Sequence, residues 1–184
     1  MRLRRRLLLG VILNAATLLG VTVLAGAAPA SAGPPGGSLA AARAATAAFH
    51  DPAAALAAGY LPTKDCVAEP GLGTMGQHWV NPKLVGKPSD LSVTRPQALL
   101  YVPTGEGLRL VAVEYLVFAP GEELAADPTQ VDPNGPALFG QHFNGPMVGH
   151  SPTMPVHWDL HVWLWAHNPA GVFAQFNPSA AISC

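Results

Sequence analysis

Alternation of apolar and polar positions is sharpest in two stretches of the chain. The first is Leu108 to Phe118, preceded by Gln97 to Pro103 and joined to it by Thr104-Gly105-Glu106-Gly107. Two runs rich in β-branched and aromatic residues around a short Gly-containing turn predict an antiparallel hairpin. Strict alternation along the second run places Leu108, Leu110, Ala112, Glu114, Leu116 and Phe118 on one face. Arg109, Val111, Val113, Tyr115 and Val117 take the other. Glu114 is then a carboxylate among apolar neighbours with no basic residue on its face. Such a group is costly to bury and holds its proton unless a metal, His or Arg meets it.

The second stretch is His157 to Pro169, which holds three of the seven histidines and three of the four tryptophans. Its Trp, Val and Leu content favours a strand. Trp158, Leu160, Val162 and Leu164 would form a wholly apolar face. His157, Asp159, His161, Trp163 and Trp165 would form a second face, where ligating and proton-transferring groups stand beside large aromatics.

Elsewhere the pattern is weaker. The alanine-rich run Leu39 to Phe49 favours a helix by propensity. Asp51-Pro52 starts a second short helix that Gly59 ends, and His50 at this junction reads as a capping or packing residue. Lys83 to Thr94 reads as a surface loop, and Ala119 to Pro136, proline-rich and acidic, as a long surface excursion. Ala137 to Phe143 and Val172 to Phe176 are predicted as short strands. Gly71-x-Gly73-x-x-Gly76 has the spacing of a phosphate loop, but no strand is predicted before it and no helix after it, so that reading is rejected. The elements together predict an α+β fold: short N-terminal helices packed on a curved, mainly antiparallel sheet or open β-barrel.

The first residues change the picture of where such a domain works. Arg2, Arg4, Arg5 and Arg6 precede an apolar run, and Ala30 and Ala32 occupy the small-x-small positions of a signal-peptidase site. Residues 1–32 read as a secretory signal peptide, 33–38 as a flexible leader, and 39–184 as a single secreted domain. With four of the ten Lys and Arg removed, six stand against eleven Asp and Glu, a net charge of about −5. A weakly acidic domain without a basic cluster is a poor nucleic-acid binder. Later apolar runs are too short to span a membrane. Cys66 and Cys184 are the only cysteines, and outside the cytoplasm an even pair reads first as a disulfide.

The candidate chemistry centres on His78, His161 and Glu114, with His157 as a further metal ligand and Asp159 as a ligand or as the group that orients a ligating histidine. Imidazole with carboxylate suits one transition metal, Zn, Cu, Fe or Mn. On a strand, His157 and His161 stand about 13 Å apart, so His161 is the expected ligand and His157 lies near the mouth. If the protein is an enzyme, Glu114 and His161 are its catalytic pair, with a His holding the metal or acting as general base and Glu114 orienting or relaying a proton. Two other readings stand beside this one: a metal-free pocket for a small apolar or aromatic ligand, and a structural or interaction protein of the cell envelope. No Gly-x-Ser-x-Gly elbow is present, and the closely spaced His-x-His before a Glu found in cupins is also absent.

Three blocks carry a resemblance. Gly76-Gln77-His78-Trp79-Val80-Asn81-Pro82, Val113-Glu114-Tyr115-Leu116-Val117, and His161-Val162-Trp163-Leu164-Trp165 through His167-Asn168-Pro169 resemble a family of secreted bacterial proteins, of actinobacterial type, that end in an Asn-Pro and a final Cys. No activity is established for that family, so the resemblance implies one domain over about Ala45 to Cys184 and transfers no chemistry.

Overall fold

The computed structural model describes residues 38–149 and 154–184. The expected signal peptide, most of the leader and His150 lie outside the described residues. The alanine run forms α1 (Leu39–Thr46), whose first turn is capped by the Ser38 hydroxyl accepting from the Ala41 amide at 3.1 Å. A 3-10 turn, Ala47–His50, leads to α2 (Pro52–Ala57). There Asp51 accepts from the Ala53 amide at 2.9 Å, Pro52 takes the first turn, and Gly59 follows with φ +94°. Both helix boundaries fall where capping chemistry places them.

The rest of the domain is a six-stranded antiparallel sheet in the order β1-β2-β3-β4-β8-β7. The strands are β1 (Leu61–Glu69), β2 (Gly73–Val80), β3 (Ala98–Thr104), β4 (Gly107–Phe118), β7 (Asn144–Met147) and β8 (His157–Val162). Two-residue strands β5 (Ala137–Leu138) and β6 (Gln141–His142) make a separate hairpin. With β1 and β7 as edges, the sheet is open, and the fold is α+β with the sheet dominant.

The sheet is covered on both faces. Toward the helices, Leu99, Tyr101, Val113, Tyr115, Leu160 and Val162 bury against Ala42 and Ala55. Buried tyrosines tie the overlying chain down: Tyr60 donates to the Pro96 carbonyl and Tyr115 to the Val93 carbonyl. On the opposite face Met75, Leu100, Val102, Val111, Ala112 and Trp163 pack with Ile182 from the C-terminal segment. That segment is fastened by the Cys66–Cys184 disulfide, by the Thr74–Asn177 bridge and by Arg109 donating to the Ala181 carbonyl.

Several expectations are corrected. Strict alternation in β4 fails, because the pairing jumps from Leu100↔Ala112 to Tyr101↔Leu110 and leaves Val111 as an extra residue. This bulge re-aims the strand, so Leu108 and Leu110 join the helix-side core, while Val111 and Ala112 both face the other side. The strand begun at His157 ends at Val162, short of the alternation expected through Trp165. Trp163 stays on the second face, but Trp165 turns to the helix side, where it stacks edge-on to His50 at 4.3 Å and donates to the Thr46 hydroxyl. Val172 to Phe176 is irregular chain, and the strand expected over Ala137 to Phe143 is replaced by the β5–β6 hairpin and then β7. Finally, a strand does precede the Gly71–Gly76 loop. Since Gly73 and Gly76 lie within β2 and open no helix, the rejection of the phosphate-loop reading stands.

Candidate metal centre

The face opposite the helices carries a line of polar side chains that the strand register brings together. His78 on β2 sits opposite Leu100, which sits opposite Ala112 on β4. Glu114, two residues further on, pairs with Ala98 on one side and His161 of β8 on the other. Asp159 and His157 follow His161 at the two-residue strand period. Ala98 and Ala112 flank Glu114 with side chains of a single methyl, and the His78 ring reaches across β3 to it. The contact is His78 Nε2 to Glu114 Oε2, 3.5 Å. The His78 and His161 rings meet edge to face with centroids 5.9 Å apart, and His161 Nδ1 lies 3.7 Å from Asp159 Oδ1.

These groups are out of reach of solvent: Glu114, His157, Asp159 and His161 are all 0% exposed. Among the described residues, two sets of three have ligand atoms within 4.8 Å of one another, His78–Glu114–His161 and Glu114–His157–Asp159. Ligand atoms around a tetrahedral ion with bonds of about 2.0–2.1 Å stand roughly 3.3 Å apart, close to the His78–Glu114 separation. Buried polar atoms normally have hydrogen-bond partners. Among the described residues, however, neither carboxylate oxygen of Glu114, neither ring nitrogen of His161 nor Oε1 of Gln175 has one.

Burial drives the Glu114 carboxyl far above the usual carboxylate range, to about 8, with His161 opposing the rise and Asp159 adding to it. Burial alone would lower the His161 imidazole, but the Asp159 and Glu114 carboxylates outweigh it and hold the ring above its ordinary value. His157 moves the other way, lowered by burial and only partly supported by Asp159. Its Nδ1 is 3.1 Å from the Pro155 carbonyl, a group that can only accept. That contact places the ring proton on Nδ1 and directs the Nε2 lone pair away from Pro155. The cluster thus holds protons where it could hold a cation, and these buried His, Glu and Asp groups could hold a metal ion.

A cleft of about 380 Å³ lies beside the cluster, lined by Val67, Leu72, Met75, Met147, Gln175 and Phe176 among others. Gln175 joins the two: its Nε2 lies 3.3 Å from Asp159 Oδ2 and 3.4 Å from Met147 Sδ. Neither Gln175 nor Met147 stands out in the sequence. The one available signal is an amide inside the otherwise apolar run Val172 to Phe176.

All four expected ligands, His78, His157, His161 and Glu114, therefore converge on one face together with Asp159. The placement of His157 near a mouth is corrected, for it is fully buried. The remaining described histidines lie elsewhere: His50 on Trp165, His142 exposed with Nδ1 at the Gly135 carbonyl, and His167 exposed. No helix among the described residues is long and apolar enough to cross a membrane. Comparison of the chain with protein-family models, with curated proteins and with solved structures finds no match.

Proposed function

We propose that this protein is a secreted metal-binding domain of metalloenzyme type, holding a transition metal through His78, His161 and Glu114. The observation that carries the reading is the buried Glu114 carboxylate. It lies 3.5 Å from His78, has His161 as its register partner, and has no hydrogen bond to either oxygen among the described residues. A carboxylate in that setting is expensive to keep without a cation. Two imidazoles and one carboxylate are a set used by catalytic zinc sites and by non-haem iron sites, both of which leave coordination positions open. The cleft behind Gln175 supplies an adjacent space for a small molecule. Without metal, that same cleft supports the second reading, a pocket for a small and largely apolar ligand. The disulfide agrees with an oxidising compartment.

The test is metal analysis of the protein purified from its secreted form without chelators or a metal-binding tag. We expect at least about one equivalent of Zn, Cu, Fe or Mn in the native protein and about one equivalent less in His161→Ala. A folded, metal-free protein that also refuses each of these ions when they are added would overturn the reading.

A further inference from the structure

We propose that the site is built for two ions, with Glu114 as the carboxylate that bridges them. The inference rests on the metal-binding reading above and extends it to the second set of ligands. Glu114 belongs to both groups of three, with His78 and His161 in one and His157 and Asp159 in the other. Among the described residues neither group holds both β8 histidines, so the ligand atoms divide into two sets that meet at Glu114. A carboxylate has two oxygens and can serve an ion on each side. Ion pairs in two-metal centres sit about 3.5–4 Å apart, a span that one bridging carboxylate covers.

The second set is arranged as a ligand set in its own right. The His157 Nδ1 contact to the Pro155 carbonyl is the backbone anchor that metal-ligating histidines commonly use to fix ring and tautomer. Asp159 lies 3.7 Å from His161 Nδ1 and accepts from Gln175 Nε2 at 3.3 Å. A purely structural His–Asp arrangement would orient His161 through one short bond, which this geometry does not make. Gln175, whose Oε1 has no hydrogen-bond partner among the described residues, stands between this second position and the cleft. The second ion is thus the one that faces incoming molecules.

The experiment is stoichiometric loading with Mn(II), read by metal analysis and by electron paramagnetic resonance on the full secreted protein. About two equivalents and a spin-coupled spectrum are expected for the native chain. His157→Gln should hold about one equivalent and show the hyperfine pattern of an isolated ion. One equivalent with an isolated-ion spectrum in the native protein would overturn the two-ion proposal and leave the single-metal reading intact. Two equivalents retained by His157→Gln would also overturn it, by placing the second ion elsewhere. No binding at all would remove both. Should His157→Gln fail to fold, the native protein's stoichiometry and spin coupling decide the question alone.

Discussion

At the scale of single residues, Glu114 is the group on which most depends. In the metal-free protein its carboxyl stays protonated well above its ordinary value. Between those two values the unfolded chain has lost the proton and the native state has kept it. Native protein then binds more protons than unfolded, and stability falls as pH rises through the window. His161, also raised, adds to the fall above its own ordinary value. His157, lowered, contributes the opposite slope at and below its ordinary value. Glu114→Gln keeps the shape and removes the ionisation. We expect the chelator-treated variant to lose less stability than native protein between about pH 5 and 8, by on the order of a few kcal/mol. Urea titrations at several pH values measure it. Metal inverts the trend, since ligands must shed protons to bind, so affinity rises with pH in the native chain. Equal pH slopes for the two proteins without metal would mean that Glu114 does not hold its proton.

At the scale of elements, the docking of the C-terminal segment on β2 turns on Gly73. Its φ is +114°, and a Cβ there would lie 2.2 Å from the Asn177 carbonyl oxygen, a backbone atom that cannot swing aside. Thr74 and Asn177 exchange both backbone hydrogen bonds at 3.0 Å immediately beside it. Gly73→Ala is expected to cost about 1–3 kcal/mol from backbone conformation alone, with the displaced segment adding to that. Gly71→Ala, at φ +83° with nothing within 4 Å of its Cβ, should show only the conformational part. Urea midpoints of the two variants, followed by the fluorescence of the four tryptophans, separate the two contributions. Helix caps, the β3–β4 hairpin and the polar face of β8 were legible in the sequence because each depends on neighbours in the chain. The bulge at Val111 was not, since nothing local distinguishes that valine from Val113, and only its pairing with β3 exposes it. β1 and β7 were missed because Pro62 and Pro146 interrupt the usual strand signal, and β2 because Gly73 and Gly76 weaken it. His78, Glu114 and His161 were readable as chemistry. Their convergence was not, because it is set by register across three strands. Gln175 was hidden for a related reason: it lies in irregular chain that has no period to reveal which way a side chain faces.

At the scale of the whole molecule, one covalent bond joins the beginning of the sheet to the cover over its polar face. The Cys66–Cys184 bridge closes a loop with a sequence separation of 118. Chain-entropy reasoning assigns a loop of that length roughly 4–5 kcal/mol of stabilisation. Cys66→Ser with Cys184→Ser should lower unfolding free energy by up to about that amount. The bond has a second consequence, because the segment it anchors carries Gln175, Asn177 and Ile182 across the site face. If the bridge is what keeps the cover closed, its removal should speed extraction of bound metal by a chelator, beyond what the loss of global stability explains. Non-covalent ties remain in the variant: the Thr74–Asn177 bridge, Arg109 to the Ala181 carbonyl, and buried Ile182. Should these hold the segment alone, stability would drop while extraction rates under strongly native conditions stayed unchanged. Measuring both quantities on the same variant separates a disulfide that restrains the unfolded chain from one that keeps the site closed.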